Sequence, residues 1–273
     1  MDGTGQNLRE VLTRAVTLEG VNHAYGGRPV LNNIDLIIKK GAYYGVVGPN
    51  GSGKTTLAYL IAGIIVPDSG RIDRHAHRIG LVLANPENQI VSLVVEEDIA
   101  FGPENLGLSP GEIRRRIDQA LHVTHCSELR RALTSAISGG QLAKVVFAGQ
   151  LAMDTDVLIL DEGTAMLDPD SRATFLDTVR ELNREHGKTV IHITHRLDDL
   201  QAADTVLALV SGRITHESPG VIAFIRACGG DIPGIEPGAQ LCYRNFLSEL
   251  GIETPSLEEG TCLMAEKLKR PAT

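Results

Sequence analysis

The chain has 273 residues, of which 42% are hydrophobic and only 4% aromatic, and its formal net charge is −8. This length fits one large domain, or one domain with a small appendage. A core built mainly of Val, Ile, Leu and Ala suits an α/β protein with buried parallel strands. The acidic balance makes the chain a poor candidate for gripping nucleic acid by its phosphates.

The four cysteines, Cys126, Cys228, Cys242 and Cys262, show no CxxC spacing. We interpret them as reduced thiols of a cytosolic protein, and not as a disulfide framework or a zinc site. The N-terminus lacks the apolar core of a signal peptide, and no apolar run approaches the ~20 residues that span a bilayer. If the protein works at a membrane, we expect another subunit to supply the spanning helices.

The first part of the chain is predicted to form strands around one helix. A polar lead-in at 1–15 precedes three strand patterns within 16–47, which are VTLEGV, NIDLII and YYGVV. A helix is predicted over 54–62, and short strands follow at 71–72 and 79–83.

A mainly helical insertion is predicted at about 85–155, because apolar residues such as Ile113 and Ile117 recur there at helical spacing. A buried strand at 157–160 and a helix at 170–186 follow, and Gly187 is placed to end that helix. Three further strands are predicted at 189–194, 206–210 and 213–216. The composition shifts near Ser218, and two short helices are predicted beyond it, at 241–250 and 256–268.

The sharpest motif runs from Gly48 to Thr55 and fits the pattern GxxxxGK[ST] between a predicted strand and a predicted helix. Its glycines let successive N–H groups converge on phosphate oxygens, and the helix N-terminus adds its dipole. Lys54 is predicted to reach the β- and γ-phosphates of ATP, and Thr55 to supply a hydroxyl to Mg²⁺. The predicted phosphate-binding residues are Gly48, Asn50, Gly51, Ser52, Gly53, Lys54, Thr55 and Thr56.

Two acids, Asp161 and Glu162, end the apolar run that begins at Val157. Ligands of open α/β sheets bind beyond the carboxyl ends of the strands. We therefore assign Asp161 to Mg²⁺ and Glu162 to general-base work on an attacking water. Taken alone, two acids after a strand would more often cap a helix or lie in a solvated turn, but the phosphate loop in the same chain favours the functional interpretation.

The segment from Ile137 to Gln141 resembles the LSGGQ signature of ABC ATPases, and it precedes Asp161 at the spacing of that family. The segment 167–169 resembles the D-loop of the family, and His195 resembles its switch histidine. Tyr25 stands where the family has an aromatic residue that stacks on adenine. The resemblance covers roughly 16–216. It implies that Tyr25, Ser138, Gly139, Gly140, Gln141 and Asp168 bind nucleotide, and that His195 acts in catalysis with Glu162 and Lys54.

This resemblance implies a P-loop NTPase fold, with a RecA-like α/β core, an antiparallel β flank and a helical subdomain at about 85–155. A small extension at 217–273 would complete the chain. In the family, the helix that Ser138 caps here would direct its N–H groups at the γ-phosphate bound to a second subunit. Two such ATPase subunits would therefore clamp ATP between them, and hydrolysis would release the clamp.

The segment LVLANPENQIVSLVVEEDIAFGPENLGL resembles the energy-coupling-factor branch, which includes cobalt- and vitamin-importing systems. The implied partners are a second ATPase, identical or paralogous, a membrane-spanning coupling subunit and a substrate-binding membrane subunit. The implied location is the cytoplasmic face of the cell membrane. Two alternatives are open for the acidic residues Glu96, Glu97 and Asp98. They either pair with arginines on the coupling helices of the membrane subunit or cap and solvate a helix start.

Two departures from the family pattern bear on activity. The Q-loop glutamine falls on Ala84, so either Asn85 or Gln89 swings in, or this half-site is slow and a partner hydrolyses most of the ATP. After the signature, Ala143 and Lys144 replace the usual Gln and Arg, and Lys lacks the planar fork of Arg. An alternative function is therefore an ATP-gated regulatory subunit. A second alternative, an ABC protein acting on ribosomes or DNA, usually carries two such domains or coiled coils, which we do not find here.

Overall fold

The computed structural model describes residues 13–228, and its N-terminal part is a three-stranded antiparallel sheet. Strand β1 (Arg14–Tyr25) pairs with β2 (Arg28–Lys39) on one side and with β4 (Ser69–Arg74) on the other. The strands run longer than the sequence pattern predicted. Their polar outer residues face solvent and interrupt the apolar signal, while the main chain continues to pair.

The second sheet has six strands in the order β5-β6-β7-β3-β8-β9, and all but the last strand are parallel. Its strands are β3 (Tyr43–Val47), β5 (Ile79–Val82), β6 (Val157–Asp161), β7 (Thr189–Ile193), β8 (Thr205–Val210) and β9 (Arg213–Ser218). Every residue of β3, β6 and β7 is buried, and for β6 this is what its continuous apolar run at 157–160 predicts. These three strands are neighbours, so their carboxyl ends meet at one edge of the sheet.

Three helices form a separate cluster within the predicted helical insertion. They are α2 (Val95–Asn105), α3 (Pro110–Val123) and α4 (Gly139–Ala152), which pack around Ile99, Ile117 and Val145. Helix α1 (Lys54–Ala62) follows β3, and α5 (Pro169–Arg184) follows β6. Short 3₁₀ helices lie at Pro86–Gln89, Ser127–Leu129, Thr134–Ala136 and Leu197–Leu200.

The described part of the chain ends in helix α6 (Gly220–Cys228), which was not predicted from the sequence. Its apolar residues Val221, Phe224 and Ile225 join the core cluster on one face of the parallel sheet. The helices predicted at 241–250 and 256–268 lie outside the described residues. Within residues 13–228, no helix combines the length and apolar character needed to cross a membrane.

Candidate nucleotide-binding and hydrolysis site

The predicted phosphate loop connects the buried end of β3 to the first residue of α1, which is Lys54 itself. The Lys54 side chain is buried, and its Nζ donates to the carbonyl oxygens of Gly48 at 2.8 Å and Pro49 at 3.0 Å. Burial lowers the pKa of Lys54, while the negative charges of Glu162 and Asp161 oppose that shift. The lysine is therefore held inside the curve of the loop, beside both acids.

The loop has a shape that side chains would obstruct. A Cβ on Gly48 would lie 2.0 Å from the carbonyl oxygen of Leu209. Gly53, which immediately precedes α1, has φ of 104°, in the left-handed region that favours glycine. The hydroxyl of Ser52 is buried and has no hydrogen-bond partner within the described residues. Asn50, Gly51 and Thr55 are exposed along the open side of the loop, whereas Thr56 is buried.

Asp161 and Thr55 lie together, although they are more than a hundred residues apart in sequence. Asp161 is buried at the end of β6, and the Thr55 hydroxyl lies beside it. Burial raises the pKa of Asp161, and the Thr55 hydroxyl and the Lys54 charge oppose this shift. A carboxylate and a hydroxyl at the mouth of a phosphate loop are the hard oxygen donors that suit Mg²⁺.

Glu162 and His195 are in direct contact, with His195 Nδ1 and Glu162 Oε2 2.9 Å apart. The Glu162 side chain is 20% exposed and the imidazole 55% exposed, so both groups open toward solvent. Glu162 has φ of 56°, an uncommon backbone conformation for a residue other than glycine, and its N–H bonds to the carbonyl of Ile193 at 3.0 Å. Strands β6 and β7 therefore deliver the two side chains to each other.

The predicted signature residues begin helix α4, as the capping pattern indicates. Gln141 N donates to Ser138 Oγ at 3.2 Å, and Ser138 N donates to Gln141 Oε1 at 2.9 Å, which is a complete capping box. The Gln141 side chain is therefore part of the cap, while Ser138 and Gly139 are exposed.

The signature and Asp168 line a common groove, separate from the phosphate loop. Asp168 caps α5 by accepting from Ser171 N at 2.9 Å, and Lys144 Nζ donates to Ser171 Oγ at 3.2 Å. The described residues that line the groove include Ser138, Gly140, Gln141, Lys144 and Asp168 but none from 48–56. The structure thus brings the predicted residues together as two separate groups within one chain.

Tyr25 lies at the end of β1 with its side chain 50% exposed. Its ring meets the His23 ring edge-on, with the centroids 4.8 Å apart. The same β1–β2 hairpin approaches the phosphate loop, because Val30 and Leu31 lie against Gly53. Tyr25 therefore lies half exposed on a hairpin that contacts the phosphate loop.

The two candidate replacements for the Q-loop glutamine are both held locally. Gln89 Oε1 accepts from Leu83 N at 2.6 Å, and Gln89 Nε2 donates to the Leu81 carbonyl at 2.8 Å. The Asn85 side chain accepts from Glu87 N at 3.1 Å and caps the following 3₁₀ helix. Ala84 is exposed. These bonds disfavour the hypothesis that either neighbour substitutes for the missing glutamine.

The acidic start of α2 is engaged within the chain. Asp98 Oδ1 accepts from the N–H groups of Val91 at 2.7 Å and Ser92 at 3.0 Å. Glu97 accepts from the Ser92 hydroxyl at 2.8 Å, and Glu96 forms an ion pair with Arg130. These contacts favour the alternative in which the three carboxylates organise a helix start.

Three further residues beside the site were not singled out from the sequence. Asp199, four residues after His195, accepts from the Thr164 hydroxyl at 3.0 Å and pairs with Arg172 of α5. No local spacing marks these contacts, because the partners are 35 and 27 residues from Asp199. The only sequence signal for the role of Asp199 is the acid-rich run after His195, and such runs usually lie on a solvated surface.

Comparison with known proteins identifies this architecture. The family model described as ABC transporter matches residues 31–165. The energy-coupling factor transporter ATP-binding protein EcfA1 of Symbiobacterium thermophilum is 43% identical, over 94% of this chain and 98% of its own length. EcfA of Methanosarcina acetivorans is 44% identical, over 93% of this chain and 89% of its own length.

Solved structures agree with the sequence relatives. CbiO1 from Clostridium perfringens, described as part of the ABC transporter complex cbiONQ, has a TM-score of 0.72 and 29% identity. The match covers 92% of this chain and 99% of CbiO1. The ATP-binding cassette MJ0796, a dimer bound to ADP and Pi, has a TM-score of 0.69 and 25% identity over 75% of this chain and 98% of its own. The predicted P-loop NTPase fold is confirmed, and the chain is an ATP-binding ATPase that belongs to the ABC transporter family, in its energy-coupling factor branch.

Proposed function

We propose that the chain hydrolyses ATP to power the uptake of a small substrate, such as a metal ion or a vitamin, through an energy-coupling factor transporter. The observation that carries this proposal is the cluster of Lys54, Thr55, Asp161, Glu162 and His195 at the carboxyl ends of β3, β6 and β7. Together these residues supply a phosphate cradle, a metal-binding pair and a base with its orienting histidine.

Nucleotide binding falls to the loop at 48–56 and to Tyr25. The Lys54 ammonium and the N–H groups of the loop bind phosphate oxygens, and Ser52 offers its unpaired hydroxyl to the same oxygens. The Tyr25 ring stacks on the adenine. Thr55 and Asp161 hold Mg²⁺, which neutralises charge on the β- and γ-phosphates when bound.

Glu162 accepts a proton from the attacking water. With Glu162 ionised, the contact to His195 requires the proton on Nδ1, so the imidazole fixes the carboxylate and turns Nε2 outward. A base held in this way loses little orientational freedom at the moment of reaction. His195 thus orients the base from one side while Lys54 holds the phosphates on the other.

The second group of residues acts on a neighbouring subunit. The N-terminus of α4, with Ser138, Gly139 and Gly140, binds the γ-phosphate held by the other ATPase, and Asp168 lies beside it. Gln141 contributes by fixing the cap that orients these N–H groups. Two chains, identical or paralogous, therefore enclose ATP, and its hydrolysis separates them.

The membrane partners contact the groove between the Q-loop region and the helical cluster. Apolar side chains are exposed there, including Val91 and Phe101, and the groove is also lined by Leu106 and Gly149. Such a surface suits an apolar helix of a membrane-spanning subunit. The chain then works at the cytoplasmic face of the cell membrane, with a coupling subunit and a substrate-binding subunit.

Reconstituted transport tests this function. The chain is purified with its ATPase and membrane partners, placed in vesicles and given ATP with labelled metal ions or vitamins. We expect ATP-dependent uptake that the Lys54→Ala variant loses. ATP hydrolysis without uptake of any such substrate would contradict the transport proposal while leaving the ATPase assignment intact.

A second candidate function is an ATP-gated regulatory subunit that binds ATP and turns it over slowly. Ala84 favours it, because an exposed methyl group cannot contact Mg²⁺ or an attacking water as a glutamine side chain can. The intact Glu162–His195 pair favours the motor function. Single-turnover hydrolysis in a dimer whose other site is inactivated separates the two functions.

A further inference from the structure

The two loops that carry Glu162 and His195 are joined by a second contact in the protein interior, in addition to the Glu162–His195 pair, which is called the dyad below. The Thr164 hydroxyl, two residues after Glu162, donates to Asp199 Oδ2 at 3.0 Å, four residues after His195. Both Thr164 and Asp199 are buried. This bond is therefore a second connection between the same two segments, and it lies in the interior.

A third segment, helix α5, is joined to these two loops by an ion pair. Arg172 of α5 pairs with Asp199, and the two side chains are only 13% and 1% exposed. The main-chain N–H of Arg172 also donates to the main-chain carbonyl of Asp168 at 2.8 Å, and Asp168 is the residue that caps α5. A carboxylate this buried requires both its cation and its hydrogen-bond donor, because an unpaired charge in the interior is costly. Asp199 thus links α5 to both loops of the dyad.

The segment after Glu162 forms a tight turn, and the Leu167 side chain packs against the core near its end. It turns through main-chain bonds, from Ala165 N to the Glu162 carbonyl at 2.9 Å and from Leu167 N to the Thr164 carbonyl at 3.2 Å. Glu162 starts this turn with φ of 56°, a conformation that persists only where the surroundings enforce it. The Thr164–Asp199 bond fixes the middle of the turn.

We propose that Asp199 is a positioning residue for the Glu162–His195 dyad, acting through the Thr164 hydroxyl and held in place by Arg172. Asp199 is buried behind Thr164, so it acts on the dyad through that hydroxyl and not by contact with the reacting atoms. Its effect is to hold the carboxylate of Glu162 at the distance and angle that His195 requires. The inference rests on the proposed catalytic roles of Glu162 and His195.

Positioning predicts a specific kinetic pattern. The phosphate loop lies on other segments, so loss of the Thr164–Asp199 bond changes the rate of hydrolysis and leaves binding of ATP nearly intact. A misplaced base costs rate without costing ground-state affinity. A merely structural ion pair instead lowers the unfolding temperature and leaves kcat per folded molecule unchanged.

The experiment compares Thr164→Val, which removes the hydroxyl at nearly constant volume, with Thr164→Ser, which retains it. Asp199→Asn, the Thr164→Val/Asp199→Asn double variant and Glu162→Gln complete the set. The full-length chain is studied in the dimer that it forms, with kcat, KM for MgATP, binding of a fluorescent ATP analogue and thermal unfolding measured for each variant.

We expect Thr164→Val to lower kcat by about tenfold, with KM changed by less than about twofold, while Thr164→Ser keeps most of the activity. Because both single changes break the same bond, the double variant falls no further than Asp199→Asn. Wild-type kcat in Thr164→Val, beside an inactive Glu162→Gln, would overturn the inference alone. Wild-type kcat in Glu162→Gln would overturn the proposed base and the inference with it.

Discussion

His195 Nδ1 and Glu162 Oε2 lie 2.9 Å apart at the ends of two adjacent buried strands. The contact orients the carboxylate that we assign as the general base. We expect His195→Ala to lower kcat by about 10²-fold, the lower end for loss of acid–base organisation. Affinity for MgATP should remain, because the phosphate loop is untouched.

Steady-state hydrolysis and equilibrium binding of a fluorescent ATP analogue check this expectation. His216→Ala, an exposed histidine on edge strand β9, is the matched control. Equal loss of affinity and rate in His195→Ala would contradict a role confined to hydrolysis.

Ala84→Gln should increase hydrolysis. Ala84 is exposed, and the nearby Gln89 is occupied by bonds to β5, so a new side chain at position 84 can reach outward without competing for existing partners. We expect about a tenfold rise in kcat, equivalent to ~1.4 kcal/mol of transition-state stabilisation. Asn88→Gln, on an exposed neighbour, is the control. An unchanged rate in Ala84→Gln would show that this half-site is not limited by the missing glutamine.

Gln89→Leu should destabilise the fold. It removes the two bonds by which the Gln89 amide satisfies Leu83 N–H and the Leu81 carbonyl at the end of β5. Leaving these half-buried groups unpaired costs about 1–3 kcal/mol in the free energy of unfolding. Denaturant titrations of Gln89→Leu and of Asn88→Ala measure the difference. Equal stability of the two variants would mean that water replaces both bonds without cost.

His192 makes stability depend on pH. It is fully buried in β7, with Nδ1 2.9 Å from the Tyr43 hydroxyl, and burial lowers its pKa to about 4. Between that value and the ordinary pKa of about 6.5, the unfolded chain binds a proton that the folded chain excludes. The excluded proton therefore has no effect on the free energy of unfolding above pH ~6.5. As the pH falls below that value, it lowers this free energy progressively, by ~3 kcal/mol near pH 4.

His192→Gln removes this titration while retaining an amide that can bond to Tyr43. We expect the unfolding free energy of His192→Gln to fall less steeply than that of the wild type between pH 6.5 and 4. The exposed His186→Gln provides the control for loss of a histidine. Parallel pH profiles for the wild type and His192→Gln would contradict a neutral buried imidazole.

Local sequence was sufficient to predict those parts of the site that depend on main-chain geometry. The phosphate loop needs glycines where the chain turns sharply, and the Ser138 cap needs a hydroxyl three residues before Gln141, so both leave a readable pattern. Strand β6 was predicted because a strand buried on both faces must be apolar throughout.

The remaining features depend on contacts between distant segments. The Thr164–Asp199 bond and the Gln89 contacts use polar residues whose sequence neighbours look like ordinary loops. Likewise, β1 and β2 extend beyond their apolar patterns because pairing with a neighbouring strand overrides weak local propensity. The roles assigned to all of the site residues, from Tyr25 to His195, and the domain boundaries stay predictions.

The most direct test of the central claim is Mg²⁺-dependent ATP hydrolysis by the full-length chain, alone and with its ATPase partner, against Glu162→Gln. This change keeps the size of the side chain but removes the charge that accepts a proton. We predict hydrolysis in the wild type, and in the variant a loss of at least about 10²-fold with ATP still bound. Wild-type turnover by Glu162→Gln, or ATP binding without turnover by the wild type even with its partner, would contradict the assignment of Glu162 as the base of a working motor.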